Sequence, residues 1–151
     1  MARAYVGLGA NLGDREETLR RALELLASEP GIAVVAVSTL RETDPVGYVD
    51  QPRFLNGACA VDTELGPRRL LERLLAVELV LGRERTGPRF GPRTLDLDLL
   101  LYGDDVVDEP GLTVPHPRLT ERRFALEPLA ELAPGLALPD GRTVRDLLEA
   151  T

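Results

Sequence analysis

The sequence predicts an α+β fold in the order strand-helix-strand-strand-helix-strand. Its four-stranded antiparallel sheet would carry helices on one face. Three observations carry this expectation. Apolar or β-branched runs of strand length alternate with two segments of helical spacing. Turns rich in Gly and Pro separate most of the runs. The second and third strands follow each other with no helical pattern between them. Residues 4–9 (AYVGLG) read as the first strand. Asp14 can cap a helix, and Glu17 three residues on forms a capping box with it. Leu19, Ala22, Leu23 and Leu26 give that helix its apolar spacing as far as Ser28, and Pro30-Gly31 break it. Residues 32–40 (IAVVAVSTL) read as the second strand, 43–52 as a loop and 54–63 (FLNGACAVDT) as the third strand. Pro67 suits the first turn of a second helix, with Leu70, Leu74, Val77 and Leu81 as its stripe. An arginine-rich loop at 82–93 leads into a fourth strand at 94–102. Val106-Val107 predict a short extra strand, and helical segments around 121–131 and 143–149 form a short C-terminal helical extension. The order is the split βαβ pattern of ferredoxin-like folds. No linker or repeat interrupts it, so residues 1–151 read as a single domain.

Composition narrows the function. The chain has 151 residues, 44% hydrophobic and 28% charged, and a formal charge of −7. An acidic chain weighs against nucleic acid as a partner, because phosphate backbones call for a basic face. No apolar run reaches the roughly 20 residues of a membrane span. Residues 2–12 lack a signal-peptide pattern, and Cys59 stands alone. A cytoplasmic protein is the expectation. All 18 basic residues are arginine. A phosphate-binding loop of the Walker type needs lysine, so that mode of nucleotide binding is excluded. The run GLGANLG (7–13) carries Leu12 where a dinucleotide fingerprint needs Gly, so its glycines read as sites of close backbone approach at a strand end.

The sharpest signal is TLDLDLLL at 94–101. Alternate residues of a strand share a face, so Asp96 and Asp98 point the same way, roughly 6–7 Å apart. Leu95, Leu97 and Leu99 point the other way, into the helices. A lone pair of this kind is usually a solvated sheet face. Here Arg83, Arg85, Arg89 and Arg93 adjoin it among glycines and prolines. Acids, arginines and Mg²⁺ together make a clamp for a polyphosphate, and such a loop suits a lid. Phe54 and Asn56 share a strand face and suit stacking and edge-reading of a planar heterocycle, although a strand Phe more often belongs to a core. His116 lies in VPHPRL near Arg118, Arg122 and Arg123, a surface loop or a phosphate contact. Glu78 flanks the second helix's stripe, as a boundary residue or one facing a nucleotide.

Four blocks resemble the 6-hydroxymethyl-7,8-dihydropterin pyrophosphokinase family: YVGLGANLGD at 5–14, DQPRFLN at 50–56, GRERTGPRFGPRTLDLDLLLYG at 82–103 and VPHPRLTERRF at 114–124. The resemblance implies transfer of the pyrophosphoryl group of ATP to the pterin's hydroxymethyl oxygen, with release of AMP, in folate biosynthesis. It implies that Asp96 and Asp98 bind two Mg²⁺ ions. Arg83 and Arg93 would neutralise the transferring group, and Glu78, Arg85, His116 and Arg122 would serve ATP. Phe54 and Phe124 would sandwich the pterin, Thr43 and Asn56 would read its polar edge, Val46 would line its pocket, and Phe90 would belong to the lid. Phe54 stands where the family often carries Tyr, and Phe90 where it often carries Trp; both keep a ring. The expected partners are the two small-molecule substrates, with a monomer or weak homo-oligomer. The alternatives are a non-catalytic nucleotide- or metal-binding module of the same fold, and an ordinary kinase that releases ADP.

Overall fold

The computed structural model describes residues 1–44, 50–81 and 95–151. Strand β1 (Ala2–Ala10) lies between β4 (Phe54–Thr63) and β5 (Asp96–Tyr102), and β2 (Ile32–Val37) flanks β4. All pairings are antiparallel, in the order β2-β4-β1-β5. This is the ferredoxin-like order. Helix α1 (Arg15–Ser28) starts where Asp14 accepts the Glu17 amide, while the Glu17 carboxylate pairs with Arg20. Helix α2 (Pro67–Val80) begins at Pro67, as expected.

Strand alternation sorts the core. Val6 and Leu8 of β1, Cys59 and Val61 of β4, and Leu97 and Leu99 of β5 turn to one face. There they bury Leu19 and Leu26 of α1 with Leu70 and Leu74 of α2. The opposite face is covered too. Helices α3 (Arg123–Leu132) and α4 (Val144–Glu149), from the C-terminal extension, pack Leu126, Leu129, Val144 and Leu147 on Tyr5, Ala58, Ala60, Leu100 and Leu101. A bulge between Tyr5 and Val6 lets the neighbours Leu100 and Leu101 both reach this second core. Gly7 leaves the room, since a Cβ there would lie 3.4 Å from the Leu100 side chain.

The expected strand at 32–40 is split. It ends at Val37, and a three-residue strand β3 (Arg41–Thr43) adds a fifth member to the sheet by pairing with β4. Ser38 causes the break. Its hydroxyl takes the Ala58 amide at 2.9 Å, replacing a ladder carbonyl, and Leu40 then lies over Gly57. The short strand expected at 106–107 is β6 (Val107–Glu109), in a hairpin with β7 (Leu112–Val114).

Cys59 is fully buried, and burial pushes its thiol up to about 12. The native protein is expected to resist an aromatic disulfide reagent at pH 8 and to react with one equivalent once unfolded in urea. Fast labelling of the folded protein would contradict this packing.

Candidate active site

The face of the sheet under α3 carries the expected site residues in rows. Opposed residues of paired strands share a face, so Asp96, Gly9, Asn56 and Arg41 form one row across β5, β1, β4 and β3. Asp98, Gly7 and Ala58 form the next. Neighbouring strands lie about 4.8 Å apart, which sets Asp96 and Asn56 about 10 Å apart across a glycine. A Cβ on Gly9 would lie 3.0 Å from the Asn56 amide nitrogen and 3.9 Å from the Phe54 ring. Any larger residue there would fill the gap between the two ends of the row.

At the β5 end, Asp96 and Asp98 are half-buried. Together with Glu78 and His116 they line a pocket of about 240 Å³, walled by Leu71 and Leu75 of α2 and by Leu112 and Thr113 of the β6–β7 hairpin. Glu78 is buried, and its Oε2 accepts the Leu97 amide at 2.7 Å. The carboxylate thus ties α2 to the outer edge of β5, buried rather than at the helix boundary. The His116 amide donates to the Leu100 carbonyl at 2.9 Å and so fastens the following segment to the same edge. His116 Nδ1 accepts the Arg118 amide at 3.2 Å. The neutral ring therefore carries its proton on Nε2, 4.0 Å from Asp98. Burial, then the nearby Arg122 cation, lowers the His116 pKa to about 4, against a smaller opposing pull from Asp96. The ring is neutral at pH 7.

Arg122 is largely buried. One of its terminal nitrogens lies 3.9 Å from Asp98, and its guanidinium sits 5.4 Å from the Phe124 ring centroid. Its buried Nε has no hydrogen-bond partner among the described residues. A buried guanidinium with spare donors is suited to an anion. Among the described residues no three His, Cys, Asp or Glu side chains converge as a metal cage. A cation on Asp96 and Asp98 would draw the rest of its shell from water and phosphate, which is the coordination Mg²⁺ favours.

At the other end, the Thr43 hydroxyl donates to the Asn56 amide oxygen, and the Asn56 amide nitrogen donates to the Leu8 carbonyl at 3.4 Å. Asn56 keeps one donor hydrogen and one lone pair beyond these bonds. Asn11 steadies the segment before β4 through Gln51 and the Pro52 carbonyl. Val46, Arg83, Arg85, Arg89, Phe90 and Arg93 lie outside the described residues. Two groups escaped sequence reasoning. Leu71 and Leu75 form a second stripe with Glu78, one residue round from the core stripe, and that spacing was readable. The hairpin wall at 112–113 had no such signal.

Fold and site together define a domain that can hold an anionic phosphate chain beside a planar polar ring. A model of the 7,8-dihydro-6-hydroxymethylpterin-pyrophosphokinase family matches residues 5–134. The 2-amino-4-hydroxy-6-hydroxymethyldihydropteridine pyrophosphokinase of Pseudomonas aeruginosa is 51% identical over 98% of this chain and 91% of its own. The protein of the same name from Bacillus subtilis is 50% identical over 85% of this chain and 77% of its own. The crystal structure of wild-type Plasmodium falciparum HPPK-DHPS shares the fold, with a TM-score of 0.76 at 14% identity. It is matched over 99% of this chain but only 44% of that longer chain. The chain belongs to the 7,8-dihydro-6-hydroxymethylpterin-pyrophosphokinase family. It is an enzyme of pyrophosphoryl transfer to hydroxymethyldihydropterin in folate synthesis, with ATP and the pterin as its small-molecule substrates. A non-catalytic module is not favoured. No helix among the described residues is long and apolar enough to cross a membrane.

Proposed function

We propose that residues 1–151 form one catalytic domain that lays its two substrates side by side along the glycine-bearing row of the sheet. The carrying observation is the arrangement of Asp96, Gly9 and Asn56 in a single cross-strand row. The nucleotide occupies the pocket at the β5 end. Leu71, Leu75 and Leu112 offer apolar cover for its base, and Glu78 holds the strand edge in place. The phosphates extend over Asp96 and Asp98 towards Gly9. Asp96 and Asp98 hold two Mg²⁺ ions, which when bound neutralise phosphate charge and orient the transferring group. Neutral His116 donates its Nε2 proton to a phosphate oxygen, and Arg122 turns its unused donors to the same chain. Arg83, Arg85 and Arg93 add positive charge, with Arg83 and Arg93 on the transferring group and Arg85 on ATP. The pterin stacks between Phe54 and Phe124, beside Val46, with its polar edge on Asn56 and Thr43. Phe90 closes over it.

In this arrangement the hydroxymethyl oxygen faces the β-phosphorus of ATP across Gly9. The bond between the α,β-bridging oxygen and that phosphorus breaks, AMP leaves, and the hydroxyl proton passes to solvent. Positioning and charge neutralisation supply the catalysis, as phosphoryl transfer needs little early proton abstraction. The single cysteine, Cys59, is a buried free thiol, which suits a reducing cytoplasm as the compartment we assign, with the enzyme acting as a monomer or weak homo-oligomer.

The test is nucleotide product analysis with ATP, Mg²⁺ and 6-hydroxymethyl-7,8-dihydropterin. AMP equal to the pterin consumed is expected. ADP would mean single phosphoryl transfer and overturn the assigned site of bond cleavage. In the same assay, Asn56→Ala is expected to raise KM for the pterin about 30-fold with little change in KM for ATP, from loss of a polar-edge contact. Equal effects on both constants would contradict its assignment to the pterin.

A further inference from the structure

We infer that Glu131 is a positioning residue for the pterin: with Arg41 it clamps α3 to the start of β3 and sets the slot between the two walls that hold the ring. This rests on the assignment of Phe54, Asn56, Thr43 and Phe124 to the pterin. The two walls stand on different elements, Phe54 on β4 and Phe124 on α3. Their separation therefore depends on what ties α3 to the strands beneath it.

Glu131 supplies that tie. Its Oε2 accepts the Thr39 amide at 2.8 Å and the Thr39 hydroxyl at 3.1 Å. Its Oε1 accepts Arg41 Nη2 at 2.6 Å. Glu127, one turn earlier, adds its charge 3.9 Å from Arg41 Nε. Phe124, Glu127 and Glu131 are spaced i, i+3, i+7 and so share one helix face. The face that carries the upper wall of the slot thus ends in the clamp.

The other end of the clamp is a short strand. β3 has three residues, in register with Arg41 opposite Asn56 and Thr43 opposite Phe54. Such a strand fixes its own position poorly. The β4 ladder holds it on one side, and Glu131 holds the residues entering it from above. Release of Glu131 frees Thr43, whose hydroxyl orients the Asn56 amide, and lets α3 tilt. Glu131 and Arg41 are each a third exposed, where ion pairs add little to global stability. The effect therefore falls on site geometry.

The test measures pterin and ATP-analogue dissociation constants separately by calorimetry, with a thermal midpoint for each variant. The variants are Glu131→Gln, Glu131→Ala, Asn56→Ala and the double variant Asn56→Ala/Glu131→Ala. Glu131→Ala is expected to weaken pterin binding about tenfold, to leave the nucleotide within about twofold, and to move the midpoint by only a few degrees. Glu131→Gln keeps an acceptor for Thr39, loses the ion pair with Arg41, and should fall between wild type and alanine. The double variant should lose less than the product of the single losses, because the clamp acts through Asn56. Unchanged pterin affinity in Glu131→Ala, with Asn56→Ala impaired, overturns the clamp and leaves the site reading intact. Equal weakening of both ligands, or a fully multiplicative double variant, reduces Glu131 to a structural role and also overturns it. Unchanged pterin affinity in Asn56→Ala overturns the site reading, and the clamp with it.

Discussion

Replacing Asp96 or Asp98 with alanine is expected to lower turnover at least about 1,000-fold while the protein stays folded. A metal ion contributes several kcal/mol to transition-state stabilisation, and each 1.36 kcal/mol is tenfold in rate. Under the proposed metal role, losing one of the two carboxylates forfeits most of that. The fold should tolerate the change. Both side chains are half-buried on the face away from the main core, while Leu97 and Leu99 hold β5 in place. Among the described residues, the Arg122 and His116 side chains stand 3.9 and 4.0 Å from Asp98, beyond direct hydrogen-bond length, so their places do not hang on that carboxylate. The check is AMP release at saturating substrates, with circular dichroism and a thermal midpoint on the same samples. Asp98→Asn separates charge from shape, because it keeps the volume and removes the negative charge. A higher Mg²⁺ requirement in the residual activity is also expected. An alanine variant within tenfold of wild-type turnover would refute the metal role.

The parts of this molecule that were legible in the sequence are those set by local periodicity. Period-two alternation put Asp96 and Asp98 on one face and Leu97 and Leu99 on the other, and the structure keeps that arrangement. The cap of α1 followed from Asp14 and the first turn of α2 from Pro67. What stayed hidden depends on partners distant in sequence. Strict alternation would put Leu100 and Leu101 on opposite faces, but the bulge opposite Tyr5 and Val6 sends both to the second core. The C-terminal helices are short, and α3 contains Pro128, so their spacing is too brief to reveal the face they cover. Glu78 looked like a boundary residue until the edge of β5 supplied its donor, the Leu97 amide. The clamp of Arg41 and Glu131 joins residues 90 positions apart, and no spacing rule reaches that far.

Leu126→Ala is expected to destabilise the fold by about 2–5 kcal/mol and also to raise KM for both substrates. Leu126 is fully buried in the second core, beside Leu119 and Leu129. That layer is thin: α3 has ten residues and α4 six. Few neighbours can move in to refill the space, so the loss should lie in the upper part of the range. The urea midpoint should fall with the slope unchanged, since the same surface is exposed on unfolding. Leu19→Ala is the matched control. Leu19 is as fully buried, but on α1, in the core on the opposite face of the sheet. The two variants should lose similar stability and differ in kinetics. Phe124 packs in the layer that Leu126 anchors, the Leu126 amide donates to the Arg122 carbonyl, and the Leu119 amide donates to the His116 carbonyl, so loosening the layer should disturb nucleotide and pterin contacts together. Leu19→Ala, assayed at a temperature where both variants are folded, should keep both KM values within about twofold. If the two variants behaved alike in both measurements, the second core would be a stabilising layer without a hold on the site. If only Leu126→Ala moves the KM values, the C-terminal layer is part of the binding apparatus, and its packing is what keeps the roof at the right height above the glycine row.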